Sequence, residues 1–295
     1  MQTFRHFVHL LIAFFTDSFR LVKALFYQLQ RQHFKKEVKK EIQEHELVIL
    51  ANGPSLATVM DRFCEIKNAD FCMVNLSPLT DIFWELKPKL LVTTDMSLYV
   101  HKDKDFSKNF RSKLQEVNWA LEYCVPFHYP NWIIKEFKRN PFIKVSRYTT
   151  EPWSPELGFF KKLRFRLYEK GVLAPNCSNV LIATIYVSIL KGYKQMFLFG
   201  ADHSWIKDVY VNDKNQVVHA DKHYYGTEEH VWLDYQGNPI KLADLLESNL
   251  STFRNHQILR DFADYLGDVR IINCTEGSYI DAYERGKLEV LLKDN

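Results

Sequence analysis

The sequence predicts an α/β fold built on a mainly parallel sheet with helices on both faces. Three observations carry that expectation. Short, wholly apolar runs such as Leu47-Val48-Ile49-Leu50 and Phe71-Cys72-Met73-Val74 lack the alternation of a half-exposed strand and suit strands buried on both faces. Helix-like stretches stand between several such runs. Most runs end on a polar or glycine residue, the pattern expected where strands point their carboxyl ends at a ligand.

The elements follow in order. The first strand runs into Ala51-Asn52-Gly53-Pro54-Ser55, where Ser55 is placed to cap a following helix. The second ends at Asn75, and a third, Leu90-Leu91-Val92-Thr93-Thr94-Asp95, ends in an acid. Between 101 and 175 the order is less legible. Strands are expected within Val117–Val125 and Phe142–Val145, but Pro126, Pro130, Pro141, Pro152 and Pro155 interrupt any long helix. This stretch reads as a lid-like insertion. An apolar helix from Asn179 to Leu190 leads through Gly192-Tyr193-Lys194 to the strand Gln195–Phe199, which ends at Gly200-Ala201-Asp202-His203. A polar, second lid-like excursion over 206–240 precedes a helix near Leu242–Tyr265 and a last strand, Val269–Asn273.

A chain of 295 residues, 46% hydrophobic and 25% charged, allows one large domain with an appendage. Residues 46–295 are expected to form that domain. Residues 1–45 form the appendage, a basic amphipathic helical segment. Residues 1–40 carry eight Lys/Arg against Asp17 and Glu37, a net of +6, so the rest holds −3 of the total +3. The run Phe7–Phe15 is far shorter than the roughly 20 apolar residues of a bilayer span, and no small-residue cleavage site follows it. Phe19, Leu21, Val22, Leu25, Phe26 and Leu29 continue it at helical spacing beside Arg20 and Lys23, as in a helix lying on an anionic membrane surface. The alternative is a helix packed in the core or in a homo-oligomer. The small total charge gives no nucleic-acid reading. Five scattered cysteines without a C-x-x-C support neither disulfides nor zinc, and Cys64, Cys72 and Cys274 read as buried. A reducing cytoplasm is the expected compartment.

The candidate site residues lie at the strand ends. In Asn52-Gly53-Pro54-Ser55, Gly allows close backbone approach and the following helix offers N–H groups to a phosphate. Neither G-x-G-x-x-G nor a P-loop lysine is present. Gly200-Ala201-Asp202-His203-Ser204-Trp205 sets an acid, an imidazole, a hydroxyl and an indole together. His223-Tyr224-Tyr225-Gly226 reads as a loop that holds a base. Asp103-Lys104-Asp105 matches a D-x-D metal pattern but sits in a charged, solvated run, and no two-His-one-carboxylate spacing or G-x-S-x-G elbow occurs.

These islands resemble the bacterial sialyltransferases of glycosyltransferase family 42, and the broader group of motility accessory factors and MptE-like hydroxymethylpterin diphosphokinases. The landmarks are Asn52-Gly53-Pro54-Ser55-Leu56, Asn75, Gly192-Tyr193-Lys194, Gly200-Ala201-Asp202 and His223-Tyr224. The likeness spans roughly 46–285. It implies a Rossmann-like, GT-A-variant domain that binds a nucleotide sugar. It implies a CMP-activated 2-keto sugar acid, sialic-acid-like or Kdo-like, as donor substrate, with metal-independent inversion, no cofactor and a histidine base. By position, Asn52, Gly53, Pro54, Ser55, Asn75, Asp95, Gly200 and Asp202 would serve the nucleotide, and Ser178 with Asn179 the phosphate and carboxylate. Tyr224, Tyr225 or a positive group would assist departure of the phosphate. Two departures stand out. The family's Arg-x-Thr-Ser-Gly is replaced by Pro175-Asn176-Cys177-Ser178-Asn179, and its catalytic histidine aligns with Thr227. The base is then reassigned among His223, His203 and His230.

The resulting expectation is a transferase, peripheral on the inner face of the cytoplasmic membrane, acting on a glycan or glycolipid acceptor of capsule or lipopolysaccharide. The alternatives are an ATP- and Mg²⁺-dependent pyrophosphokinase of the MptE-like type, or a non-catalytic scaffold of the same fold.

Overall fold

A computed structural model describes residues 2–30, 38, 40–155, 160–207, 209–223, 226–234 and 237–292. Its strands are β1 (Glu46–Leu50), β2 (Ala69–Val74), β3 (Leu90–Val92), β4 (Leu121–Pro126), β5 (Ile143–Tyr148), β6 (Gln195–Phe199), β7 (Val209–Val211), β8 (Val217–His223), β9 (Gly226–Val231), β10 (Arg270–Asn273) and β11 (Glu284–Arg285). The α-helices are α1 (Gln2–Gln30), α2 (Asp81–Leu86), α3 (Ser97–Val100), α4 (Asp105–Gln115), α5 (Asn131–Phe137), α6 (Lys161–Glu169), α7 (Val180–Lys191), α8 (Leu242–Leu266) and α9 (Glu289–Leu292).

Among the described residues, eight strands form one sheet in the order β11-β10-β6-β1-β2-β3-β4-β5. Every pairing is parallel, with registers such as Val48↔Phe71 and Val48↔Phe197 holding β1 between β2 and β6. Parallel neighbours need crossovers, and the intervening helices provide them. Side-chain alternation splits the core. Leu47, Ile49, Cys72 and Val92 face α6, α7 and α8, where Phe165, Tyr186 and Phe262 pack on them. Val48, Leu50, Met73 and Leu91 face the other layer, with Phe63, Phe83, Phe110 and Phe137. Helix α7 lies between the sheet and α8 and is buried from Leu181 to Lys191, which explains its apolar sequence.

Two regions differ from the sequence expectation. Residues 101–175, expected as a lid-like insertion, contribute β4 and the edge strand β5 to the main sheet. The run Leu121–Pro126 is buried throughout, yet Glu122 interrupts its apolar pattern. That carboxylate is neutralised by Lys191 Nζ at 2.9 Å and Lys144 Nζ at 3.0 Å, and Lys191 also reaches Glu41 at 2.9 Å. A buried acid with partners distant in the chain hides a core strand from pattern reading. In 206–240, β7, β8 and β9 form a small antiparallel sheet rather than a loop. Cys72 is buried as expected, but Cys64 is exposed and Cys274 only half-buried.

Helix α1 packs inside out. Among its described side chains, Ala13, Asp17, Ala24 and Gln28 are buried. Trp153 Nε1 donates to the Asp17 carbonyl at 3.2 Å, and Gln28 Nε2 donates to Thr149 Oγ1 and the Val172 carbonyl. Phe14 stacks on Phe160 with centroids 5.7 Å apart. Phe15, Phe19, Val22, Phe26 and Leu29 are exposed. No helix among the described residues is long and apolar enough to cross a membrane.

Candidate active site

The chain leaves β1 for β2 on one side and returns to β6 on the other, so the strand order reverses between β1 and β6. A crevice opens beyond the carboxyl ends of strands at such a switch. Here the two loops are stitched together. The Ala51 N–H donates to the Phe199 carbonyl at 2.9 Å, and the Gly53 N–H to the Gly200 carbonyl at 2.8 Å. Ser55 donates twice to Asp202, from its N–H to Oδ1 at 3.2 Å and from its hydroxyl to Oδ2 at 2.7 Å. A Cβ on Gly53 would stand 1.9 Å from Asp202 Oδ2 and 2.4 Å from the Gly200 carbonyl, so this approach requires glycine. Gly200 adopts φ +65°, and a Cβ there would lie 2.8 Å from the Ala51 carbonyl.

This geometry changes the role of the loop. Ser55 does not cap an α-helix. Pro54–Thr58 is a single 3₁₀ turn, and the Leu56 N–H donates to the Gly53 carbonyl. The Ser55 N–H expected to face a phosphate is taken by the Asp202 carboxylate. Asn52 and Pro54 are exposed at the tip.

A cavity of about 630 Å³ opens beyond β2, β3, β4 and β5 and against the start of α7, and Asn75, Asp95, Ser178 and Asn179 line it together. Asn75 has φ +46°, which Asn tolerates better than most residues, and its Oδ1 accepts from the Thr94 N–H at 3.3 Å. Asp95 Oδ1 accepts from the Ser97 N–H at 2.8 Å, and its carbonyl accepts from the Tyr129 hydroxyl at 2.6 Å. Asn179 caps α7 by accepting from the Leu181 N–H at 2.9 Å, and Asn176 Oδ1 accepts from the Ser178 N–H at 3.2 Å. The positive end of the α7 dipole therefore faces this cavity, suited to an anion.

Sequence reasoning missed His128, which lines the same cavity with its Nδ1 3.5 Å from Thr150 Oγ1. The signal was its place two residues beyond the end of β4. It went unread because β4 was not delimited.

The structure places His203 elsewhere. It is buried at φ +49°, packs at a tilt against Trp205 with centroids 4.3 Å apart, and sets Nε2 3.0 Å from His256 Nε2. His256 Nδ1 lies 2.9 Å from the Tyr283 hydroxyl. Burial pushes His203 down to about 4, and burial, then the neighbouring His203, pushes His256 well below the usual histidine range. Both rings are neutral near pH 7, and His203 is not among the residues lining the cavity. His223 ends β8 opposite Gly226, which starts β9. The His223 side chain and all of Tyr224 and Tyr225 lie outside the described residues. His230 is exposed on β9.

A second cavity, about 700 Å³, lies beyond β6, β10 and β11 and includes Ser55 and Gly200. Both of its arginines are engaged by the protein, and Lys287 also lines it. Arg285 donates to the Thr275, Ser278 and Ile280 carbonyls, and Arg62 pairs with Glu289 at 2.9 Å. Larger volume does not make it the better site, because Asn75, Asp95, Ser178 and Asn179 all line the other one. Asp103 and Asp105 are exposed at the start of α4, and no metal-binding cluster of His, Cys, Asp or Glu is found among the described residues.

No family model matches the chain, and no curated protein matches it. Three of the solved structures similar to it at low identity are the following. Two are of the sialyltransferase CstII from Campylobacter jejuni. The complex with the substrate analogue CMP-3FNeuAc shares 14% identity over 81% of this chain and 84% of that chain, with a TM-score of 0.39. The complex with cytidine-5'-monophosphate shares 15% over the same 81% and 84%, with a TM-score of 0.38. The third, sialyltransferase CST-II with a trisaccharide acceptor and CMP, shares 15% over 81% of this chain and 85% of that chain, with a TM-score of 0.39.

Proposed function

We propose that this protein is an inverting, metal-independent glycosyltransferase that takes a CMP-activated 2-keto sugar acid, sialic-acid-like or Kdo-like, as donor. One observation carries the reading. Asn75, Asp95, Ser178 and Asn179, singled out from the sequence for the nucleotide and its phosphate, converge on one cavity at the carboxyl edge of a parallel sheet. The strand-end motifs that resemble family 42 lie on the same edge. The acceptor in this reading is a bacterial surface glycan or glycolipid, met on the inner face of the cytoplasmic membrane.

In this mechanism the donor phosphate lies at the amino end of α7, near Ser178 and Asn179, where the helix dipole stabilises the charge that grows as CMP leaves. His128 acts as the base and takes the proton of the acceptor hydroxyl. The hydroxyl oxygen bonds to the anomeric carbon as the bond from that carbon to the phosphate oxygen breaks. Asp202 holds the β1 loop by accepting both Ser55 donors, so its role in nucleotide binding is to shape the loop.

The pyrophosphokinase alternative needs a carboxylate pair to hold Mg²⁺. Its candidates, Asp95 and Asp202, are committed to different loops, at Ser97 and at Ser55, which favours sugar transfer. Thermal-shift measurements with CMP, CDP, UDP, GDP and ATP, each with and without Mg²⁺, test the choice. CMP alone at about 100 Kd should stabilise the fold by about 2.7 kcal/mol, a melting shift of roughly 5–10 °C. Stabilisation by ATP with Mg²⁺ alone overturns the reading. Silence with every nucleotide favours a non-catalytic scaffold.

A further inference from the structure

Among the described residues that line the donor cavity, none is Lys or Arg. An anion there is met by the amino end of α7 and by uncharged hydrogen-bond donors, and the helix dipole fades within its first turn. The placement of each wall therefore decides what the cavity can do. Its carboxylate and its imidazole stand on two different turns, Asp95 after β3 and His128 after β4.

Sheet pairing stops short of both residues. The β3–β4 ladder ends at Val92↔Cys124, and the Thr93 N–H adds a last bond to the Cys124 carbonyl at 3.2 Å. Tyr129 bridges the gap beyond it. Its N–H closes the turn Pro126–Tyr129 by donating to the Pro126 carbonyl at 3.0 Å, which sets His128 at the third position of that turn. Its hydroxyl crosses to the β3 turn and donates to the Asp95 carbonyl at 2.6 Å. Tyr99 of α3, four residues beyond Asp95, packs edge-on against the Tyr129 ring with centroids 4.9 Å apart.

Tyr129 is buried, and burial pushes its phenol up from the ordinary value, so the hydroxyl keeps its proton and stays a donor. Neighbouring bonds hold the base of the β3 turn independently. The Tyr148 hydroxyl donates to the Thr93 carbonyl at 2.8 Å, and Thr93 Oγ1 lies 3.1 Å from the Tyr123 hydroxyl. Loss of the Tyr129 hydroxyl therefore loosens Asp95 relative to His128 while the strand end stays in place.

We infer that Tyr129 is a positioning residue that fixes the span between Asp95 and His128 across the donor cavity. One side chain joins the wall assigned to the nucleotide to the wall assigned to the base. Tyr129 is not itself among the lining residues, so it acts through those two. The inference rests on the sugar-transfer reading, which gives Asp95 and His128 their tasks.

Tyr129→Phe removes one oxygen and keeps the ring. In the full chain it should lower single-turnover transfer about tenfold and weaken CMP binding several-fold by calorimetry. Tyr168→Phe controls for stability, because it loses a buried hydroxyl that donates to the Trp153 carbonyl at 2.8 Å in the layer of α6, α7 and α8. It should melt at a lower temperature than the parent and transfer at the parent rate. Two double variants separate positioning from a general loosening of the fold. With His128→Ala already present, Tyr129→Phe should cost less than about twofold in rate, since the positioned base is gone. With Asp95→Ala present, it should cost less than about twofold in CMP affinity. A full multiplicative loss in either background overturns the inference, as does an equal loss of transfer in Tyr168→Phe. A parent that binds no CMP overturns the sugar-transfer reading and this inference with it. A parent that binds CMP and transfers, beside a Tyr129→Phe variant that does both equally well, overturns this inference alone.

Discussion

The carboxylate of Asp202 fills the space where a side chain on Gly53 would begin, 1.9 Å from the position of its missing Cβ. The loops after β1 and β6 therefore form one unit. Gly53→Ala must push apart Asp202 and the Gly200 carbonyl together, and overpacking of this kind costs about 1–3 kcal/mol. Urea unfolding should show that loss. Asp202→Ala should not restore Gly53→Ala, because the Gly200 backbone remains 2.4 Å away.

Ser55 and Asp202 are coupled through two hydrogen bonds to a carboxylate. A double-mutant cycle with Ser55→Ala and Asp202→Asn should give a coupling energy of about 1–2 kcal/mol, read from unfolding midpoints. Asp202→Asn should also lower CMP affinity by loosening the loop, measured by calorimetry. Near-zero coupling would show that the two loops are held independently.

His128→Ala should lower single-turnover transfer at least about a hundredfold, with CMP affinity within about twofold of the parent. His203→Asn should retain transfer, since His203 is buried on His256. If His223→Ala alone abolishes transfer, the base comes from the β8–β9 hairpin and His128 lines the cavity without chemistry.

The His203–His256 pair makes stability depend on pH. The folded-state value of His203, about 4, lies below its ordinary 6.5, so folding favours the neutral ring. That stability is fully present above pH 6.5 and is lost as pH falls towards 4. The contribution is about 3 kcal/mol. Unfolding free energies between pH 7 and pH 4 should fall accordingly, and His203→Asn, which suits φ +49°, should flatten the slope.

Lys191 is buried against Glu122 under the sheet. Lys191→Met leaves that carboxylate with Lys144, at 3.0 Å, as its remaining paired cation among the described residues and should cost about 3 kcal/mol. Adding Glu122→Leu should recover most of the loss, because replacing both charges with apolar groups removes the buried acid. Thermal melts of the single and double variants check this.

Much of the fold was legible because burial writes itself locally. Leu47–Leu50, Phe71–Val74 and Gln195–Phe199 read as strands since both their faces are covered. The end residues Asn75 and Asp95 were found for the same reason. β4 was blurred by Glu122, whose neutralising Lys191 stands 69 residues away. β11 has two residues and carries no period at all. His128 stayed hidden behind the uncertain end of β4.

The sequence by itself determined the alternation of elements, the parallel sheet, and which strand ends bear polar groups, because side-chain periodicity follows directly from which faces are buried. Only the tertiary structure decided what each polar group meets. It turned Asp202 onto Ser55 across 147 residues, buried His203 against His256, and set α1 down on its small and polar side. Such pairings depend on the order in which strands lie side by side. Local pattern does not encode that order, since every buried parallel strand presents the same apolar face to either neighbour.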